Sequence, residues 1–453
     1  MGKTPMGTLI CNAMIQTSIS WTQRILKMMV VCSIFLCLSG IFLILAELST
    51  VASAEEQLQI PPLQLDNLIQ EVIARNTNLS AARSRIQAAS IAAPRSQVLE
   101  DPYFSVMTEN TPFKSNSELD TEIRYQLTQK LPFPGKRALR RKIADQSVEI
   151  ARAEEITTTR DLILQAKRLY YELYLNQAER RINQQNRDVI RRFVEGATFR
   201  YKTGTGAYHE VLKAQVEYQM LESEYLGLEK ERASMMAMLN AILNRQPMTP
   251  LGESVEAFTP FKELKYEEME KIALERRPEL SGMQAMIVEQ RIMADLARRE
   301  FYPDFMVSGL FQQGTGGMEN AWGVGVGINL PIWIGQRQKS EAREAEARAG
   351  AFESSLEGMR AMIRSQIQGA LVKVQNAEQR ISLYKESVLP STVQTLESIE
   401  AKYRAGREDF LMLLDTRRQL QGIELAYERA RVEREQFLAE LERAVGTNLW
   451  REP

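Results

Sequence analysis

The chain has 453 residues, 44% of them hydrophobic and 25% charged, with a net charge of −1. Its 24 glycines and 16 prolines are too few for a low-complexity or collagen-like chain, and the near-neutral balance leaves no electrostatic footprint for nucleic acid. A single histidine argues against His-rich metal or acid–base chemistry, and the bias to Ala, Glu, Gln, Arg and Leu beyond residue 135 points to long helices.

The first 54 residues read as a secretory signal peptide. Arg24 and Lys27 precede an apolar run from Met28 to Ala46, and Ala52, Ser53 and Ala54 form a small-x-small cleavage site before Glu55 and Glu56. All three cysteines, Cys11, Cys32 and Cys37, fall in this leader, so cleavage after Ala54 leaves an exported chain without disulfides. The alternative is an uncleaved signal anchor, because the apolar run is long enough to span a bilayer.

The remainder is written twice, as a first structural repeat over 55–250 and a second over 251–453. Arg75 to Leu79 matches Arg276 to Leu280, and Pro102 to Phe104 matches Pro303 to Phe305. Leu131-Pro132 with Gly135 and Arg137 matches Leu330-Pro331 with Gly335 and Arg337, and Tyr201 with Gly204 matches Tyr403 with Gly406. A heptad seam at Val211, Ala214, Tyr218, Leu221, Tyr225, Leu228, Arg232, Met235, Leu239 and Ile242 recurs at Leu413, Thr416, Leu420, Ile423, Tyr427, Ala430, Arg434, Phe437, Leu441 and Ala444. Both stripes are broken by arginine at the same step, the mark of a tandem duplication.

In chain order each repeat opens with one helix, from Leu65 to Ala93 and from Tyr266 to Phe301. Two strands follow, at about 102–109 and 121–131 in the first repeat and about 303–313 and 321–332 in the second. Then come very long helices, Lys136 to Arg200 and Gln336 to Lys402, each about 100 Å at the α-helical rise. Ile363, Ile367, Ala370, Val374, Ala377, Ile381, Tyr384 and Val388 keep a 3.5-residue period, which is coiled-coil packing, and Pro390 predicts a kink or local break. Glycine turns at about 201–207 and 403–409 lead into returning helices, and a proline-bearing connector from Gln246 to Pro260 joins the halves.

The strands carry the functional signal. Trp322, Val324, Val326, Ile328, Leu330 and Ile332 alternate with Gly323, Gly325, Gly327, Asn329 and Pro331. Ile123, Tyr125, Leu127 and Leu131 alternate with polar residues, as do Phe305, Val307, Gly309 and Phe311; Phe104 and Val106 make a weaker fourth case. Length and alternation match transmembrane β-strands. A soluble four-stranded sheet packed on helices is the alternative, but the adjoining helices are heavily charged and offer no matching apolar face. Four strands cannot close a barrel and an open sheet is not viable in lipid, so several chains must pool them.

The duplicated order of helix, two strands, long helix, Tyr-x-x-Gly turn and returning helix, with the two Leu-Pro…Gly…Arg segments, resembles the TolC-type outer-membrane efflux proteins over essentially the whole exported chain. The resemblance implies a homotrimer whose 12-stranded barrel continues into a periplasmic α-helical tunnel. It implies an exit duct in the cell outer membrane, docked to a periplasmic adaptor (membrane fusion) protein and an inner-membrane transporter of the resistance-nodulation-division type. Carried onto this chain, it makes Glu210, Asp415, Tyr403 and Tyr201 the pore constriction, and Lys202, Thr203, Gly204, Arg404, Ala405 and Gly406 the adaptor-contacting tips. Met412 stands where some relatives carry a further acid. The segment from Asp101 to Pro112 followed by Leu131 to Lys136 looks most like members that serve heavy-metal exporters, so metal cations join small solutes as candidate cargo.

No catalytic residue, cofactor site or resident metal site is expected. The sequence has no Gly-x-Ser-x-Gly, zinc-type His pair or P-loop, and Gly323 to Gly327 opens no helix. His209 stands alone, and the cluster Met235, Met236 and Met238 reads as core filling. A type I protein-secretion duct, or a periplasmic coiled-coil scaffold held by an uncleaved anchor, remain the other readings.

Overall fold

The computed structural model describes residues 61–109, 122–260, 265–314, 319–330, 332 and 336–447. The leader and its cysteines lie outside these residues, as do Pro331 and the rest of the second Leu-Pro segment over 333–335.

Each opening helix is two helices rather than one. In the first repeat α1 (Leu65–Arg75) is followed by α2 (Thr77–Arg95), because Asn76 is extended and its side chain accepts the N–H groups of Asn78 and Leu79 at 2.9 and 3.3 Å. The second repeat breaks at the matching Arg277, between α5 (Tyr266–Arg276) and α6 (Pro278–Arg299), through the preference of a pre-proline residue for extended backbone. Two different residues thus make the same corner.

Two strands follow in each repeat, β1 (Tyr103–Glu109) and β2 (Glu122–Leu131), then β3 (Phe305–Gly314) and β4 (Ala321–Ile328). They form one antiparallel sheet in the order β1-β2-β3-β4, so the repeats meet at the β2–β3 ladder. β4 stops at Ile328, short of the alternation that runs to Ile332, because the Asn329 N–H turns to the Asp304 carbonyl at 2.9 Å.

The long helix α3 (Lys136–Lys202) is continuous for 67 residues and returns through α4 (Tyr208–Ile242). Its counterpart is interrupted: α7 (Gln338–Leu383) passes through a π turn at Tyr384–Val388 into α8 (Leu389–Arg404), which returns through α9 (Phe410–Val445). The irregularity expected from Pro390 is this widened turn, where the proline sits at the start of α8 and its missing N–H is tolerated.

Both tips close in the same way. Gly204 and Gly406 adopt φ of +73° and +69°, and the N–H groups of Thr205 and Arg407 each return 2.9 Å to the carbonyls of Arg200 and Lys402, a Schellman closure.

The heptad seam is buried as its period requires, through Val211, Ala214, Leu221 and Leu228 on α4 and Leu413, Leu420, Ala430 and Leu441 on α9. The connector is a strap rather than a slack linker. The Tyr171 hydroxyl donates to the Ala257 carbonyl at 2.8 Å, Glu435 accepts the Thr259 hydroxyl at 2.9 Å, and Arg431 lies 4.0 Å over the Phe258 ring. Burial pushes the neighbouring Tyr170 phenol up to about 12. Arg434, which broke the apolar stripe in the sequence, donates to the Thr259 carbonyl at 2.9 Å and pairs with Glu378 at 3.0 Å.

Candidate functional site

At one end the ladder registers sort the sheet into two chemically distinct faces. Phe104 and Val106, Tyr125 and Leu127, Phe305, Val307 and Phe311, and Trp322, Val324, Val326 and Ile328 all fall on one face. Trp322 is 80% and Val326 76% exposed. Ser105, Arg124, Gln126, Thr128, Lys130, Ser308 and Gln312 share the other, mixed face with Gly323, Gly325 and Gly327 and with Tyr103, Met107, Met306 and Leu310. Within one chain nothing among the described residues covers the apolar face, and the outer edges of β1 and β4 pair with no strand. An apolar area of this extent in water would be an aggregation hazard; facing acyl chains it needs no cover.

The sheet is pinned to the helices by a buried charge. Lys136, first residue of α3, is almost wholly buried and donates to Asp304 Oδ1 at 2.8 Å and to the Tyr302 carbonyl at 2.9 Å, with Glu300 Oε2 at 3.0 Å. The Phe133 N–H also reaches Asp304 Oδ1, at 2.8 Å. Burial alone would raise the Asp304 carboxyl, but these hydrogen bonds and the Lys136 charge hold it below its ordinary value. Gly135 has a φ of +96°, and a Cβ there would come 2.6 Å from the Arg299 guanidinium. Lys136 lay inside a segment already singled out by sequence, but its partner Asp304 had no counterpart in the first repeat to reveal it.

At the other end lie the tip residues. Lys202, Thr203 and Gly204, like Arg404, Ala405 and Gly406, are exposed and form the two turns. Tyr201 is half exposed and sits against Tyr208, with ring centroids 5.1 Å apart. Tyr403 is drawn inward, 5.9 Å from the Phe410 ring, and the Arg200 guanidinium of the first hairpin lies 5.0 Å over it. Burial pushes the Tyr403 phenol above its ordinary value, opposed in part by the Arg200 charge.

The two acids named from sequence differ. Glu210 is buried, 4.0 Å from Arg200 with one oxygen lacking any hydrogen bond, whereas Asp415 is exposed. Close by, buried Glu217 holds Arg418 of the opposite hairpin through a two-pronged pair, with Nε to Oε1 at 2.8 Å. Arg200, Phe410 and the Glu217–Arg418 pair were not found by sequence reasoning. Only Arg200, next to the Tyr201 turn, carried a local signal. His209, by contrast, stays exposed. The structure therefore brings Arg200, Glu210 and Tyr403 together and leaves Tyr201 and Asp415 apart from them.

Among the described residues no helix is long and apolar enough to cross a membrane. A family model described as outer membrane efflux protein matches the chain twice, over residues 68–245 and 271–447. The cobalt-zinc-cadmium resistance protein CzcC of Cupriavidus metallidurans is 22% identical over 370 residues, covering 81% of this chain and 86% of that one. The pyoverdine export outer membrane protein OpmQ of Pseudomonas aeruginosa is 21% identical over 413 residues, covering 84% and 85%. The solved structure of the transmembrane channel CusC superposes with a TM-score of 0.74 at 18% identity, over 86% of this chain and 93% of that one. The duplicated family match, with the two-faced sheet and paired helical hairpins, bears out the resemblance read from the sequence: the chain belongs to the outer membrane efflux protein family, whose members are transport channels and not enzymes.

Proposed function

We propose that the chain is one third of an outer-membrane exit duct, in which three copies pool twelve strands into a closed barrel and extend it into the periplasm as an α-helical tunnel. The observation that carries this reading is the uncovered apolar face of a sheet with two open edges. In lipid those edges must be paired, and four strands cannot pair them within one chain. The duplication supplies the partner: as β2 pairs β3 inside the chain, β4 of one copy would pair β1 of the next. The helices support the same reading. α6 packs against both α3 and α7, whereas α2 packs mainly on α3 and leaves Ile91 63% exposed, with Val98 just past its end 65% exposed, for an α7 of the next copy. The number three comes from the family.

In this duct the tips face the periplasm, with Lys202, Thr203, Gly204, Arg404, Ala405 and Gly406 offered to a periplasmic adaptor. The inner-membrane transporter behind the adaptor is of the resistance-nodulation-division type. Asp415, in three symmetric copies, forms an acidic ring at the constriction. Tyr403, gripped by Arg200 with Glu210 beside it, holds one hairpin to the other; Tyr201 flanks the turn of the first hairpin. A cation–π contact contributes about 0.5–1 kcal/mol when exposed and about 2 when desolvated, so this latch is weak enough to be released on docking. The leader is removed at Ala54 on export.

The cargo is small solutes, with heavy-metal cations first because the CzcC relative is a cobalt-zinc-cadmium resistance protein. The OpmQ relative, a pyoverdine export protein, favours a second reading in which the cargo is pyoverdine or a similar solute. Two experiments test the metal cargo and the constriction. A deletion strain grown on cobalt, zinc, cadmium, copper, silver and common drugs is expected to lose resistance to at least one metal cation; unchanged metal tolerance would remove the metal reading. Asp415→Ala in planar bilayers is expected to raise single-channel conductance and weaken cation block; unchanged conductance and selectivity would remove Asp415 from the constriction.

A further inference from the structure

The apolar face of the sheet does not stop at its foot. Phe305, the first residue of β3, lies on that face, and the Phe133 ring stacks on it with centroids 6.5 Å apart and planes 21° from parallel. The Tyr302 ring stacks on Phe133 in turn, at 4.6 Å and 15°. The guanidinium of Arg299, last residue of α6, closes the column, 5.6 Å from the Phe133 centroid and 5.8 Å from that of Tyr302. The rings thus lead from the uncovered apolar face to a single cation at the junction of sheet and helices.

Local structure holds the guanidinium there. Its Nε donates to the Pro134 carbonyl at 3.2 Å, and Gly135, with a φ of +96°, leaves open the space beside it that a Cβ would occupy. The acids flanking Arg299 in the chain are all paired elsewhere: Asp295 with Arg298 at 2.9 Å, and Glu300 and Asp304 with Lys136 at 3.0 and 2.8 Å. Among the described residues no carboxylate pairs with Arg299, which is exposed, and its two Nη groups have no protein acceptor. An exposed guanidinium without a counter-ion, at the rim of an apolar surface, suits a phosphate that carries its own apolar tail.

We propose that this column binds an anionic phospholipid, with the headgroup phosphodiester on the Arg299 Nη groups and an acyl chain along Phe133 and Phe305. The proposal rests on the duct reading, since it needs the apolar face in lipid; the site then lies at the headgroups of the periplasmic leaflet. Aromatic rings belong at that level, and a cation there is attracted to an anionic surface. A guanidinium meets the two non-bridging oxygens of a phosphodiester with two parallel N–H groups. A zwitterionic headgroup is disfavoured because its own ammonium competes for the phosphate. The site occurs once per chain, because the counterparts of Arg299 and Tyr302, 201 residues earlier, are Val98 and Asp101.

Native mass spectrometry of the full-length detergent-solubilised protein, titrated with phosphatidylglycerol or with phosphatidylcholine, tests this. The expected result is one phosphatidylglycerol per chain, bound about fivefold or more tightly than phosphatidylcholine. Arg299→Gln, at an exposed position, is expected to erase that preference, and Arg299→Lys, which keeps the charge but not the fork, to retain part of it. Arg137→Gln removes an equally exposed cation in the first turn of α3, one bonded to the Gln97 carbonyl and outside the column, and is expected to change nothing. The particle mass reads the duct separately: a single chain that takes up no lipid would undo the duct reading, whereas three chains without the preference would undo only this site. Absence of the preference, its survival in Arg299→Gln, equal loss in Arg137→Gln, or competition by free glycerol phosphate as strong as by the lipid would each overturn the proposal.

Discussion

The first hairpin runs unbroken along α3, whereas the second reaches its tip through α7, a π turn and α8. The difference extends to the seams. Asn176 and Asn183, one heptad apart on α3, donate to the carbonyls of Leu228 and Leu221, one heptad apart on α4, at 2.9 and 3.1 Å. Buried polar pairs of this kind fix register between coiled helices. The buried seam Leu162, Ala166, Leu169 and Leu173 recurs 201 residues on at Ile363, Ile367, Ala370 and Val374, so the counterparts of the two asparagines are Ala377 and Tyr384, and neither carries an amide to build such a ladder in the second hairpin. A duplicated sequence has kept one geometry and divided the mechanics, with a registered hairpin on one side and an interrupted one on the other. The exposed tip acid, Asp415, belongs to the interrupted hairpin.

The largest effect that would break this comparison lies at the strand-to-helix junctions. Lys136→Ala leaves Asp304 and Glu300 without their buried partner and is expected to cost about 3–5 kcal/mol in urea unfolding. The same change at the exposed counterpart Gln336 is expected to stay within about 0.5 kcal/mol. Equal costs would mean that both repeats are pinned alike. The junction also carries a pH signature. Because the folded state holds Asp304 below its ordinary pKa, its contribution is complete above the unfolded value of about 3.9 and is lost as pH falls through the lower folded value. The stability gap between wild type and Asp304→Asn is therefore expected to be constant near neutrality and to close only in acid.

Proline exchange sharpens the contrast along the long helices. Asp188 on α3 is the counterpart of Pro390. Asp188→Pro is expected to cost about 3 kcal/mol or more, since it removes a helical hydrogen bond in an uninterrupted helix. Pro390→Ala is expected to change stability by less than about 1 kcal/mol, because a first-turn proline breaks no such bond. The smallest effect concerns register. Asn183→Ala is expected to cost about 1 kcal/mol, the net value of one buried hydrogen bond, and Lys385→Ala, at an exposed position of the π turn, nothing measurable.

Periodicity made most of the architecture legible. The alternation in Trp322 to Ile328, the heptads of α4 and α9 and the glycine turns at Gly204 and Gly406 are local patterns with local causes, and the sequence displays them directly. The corner at Asn76 was missed because an asparagine cap inside an otherwise helical pattern leaves the apolar period intact. The π turn was legible only as trouble near Pro390, since the backbone can meet a proline by kinking, breaking or widening. Charge pairing was the least legible. Glu217 and Arg418 lie on different hairpins, and only the folded arrangement decides that Glu210 is buried while Asp415 faces solvent. A sequence reports that both are acids near a tip; it does not report which neighbour removes one of them from water.

The central claim, that sheets of several chains close one barrel, is tested most directly by the protein mass of the detergent-solubilised particle from light scattering with detergent subtracted. The account predicts a particle of three chains. A monodisperse single chain, with the apolar face and both sheet edges left open, would contradict it.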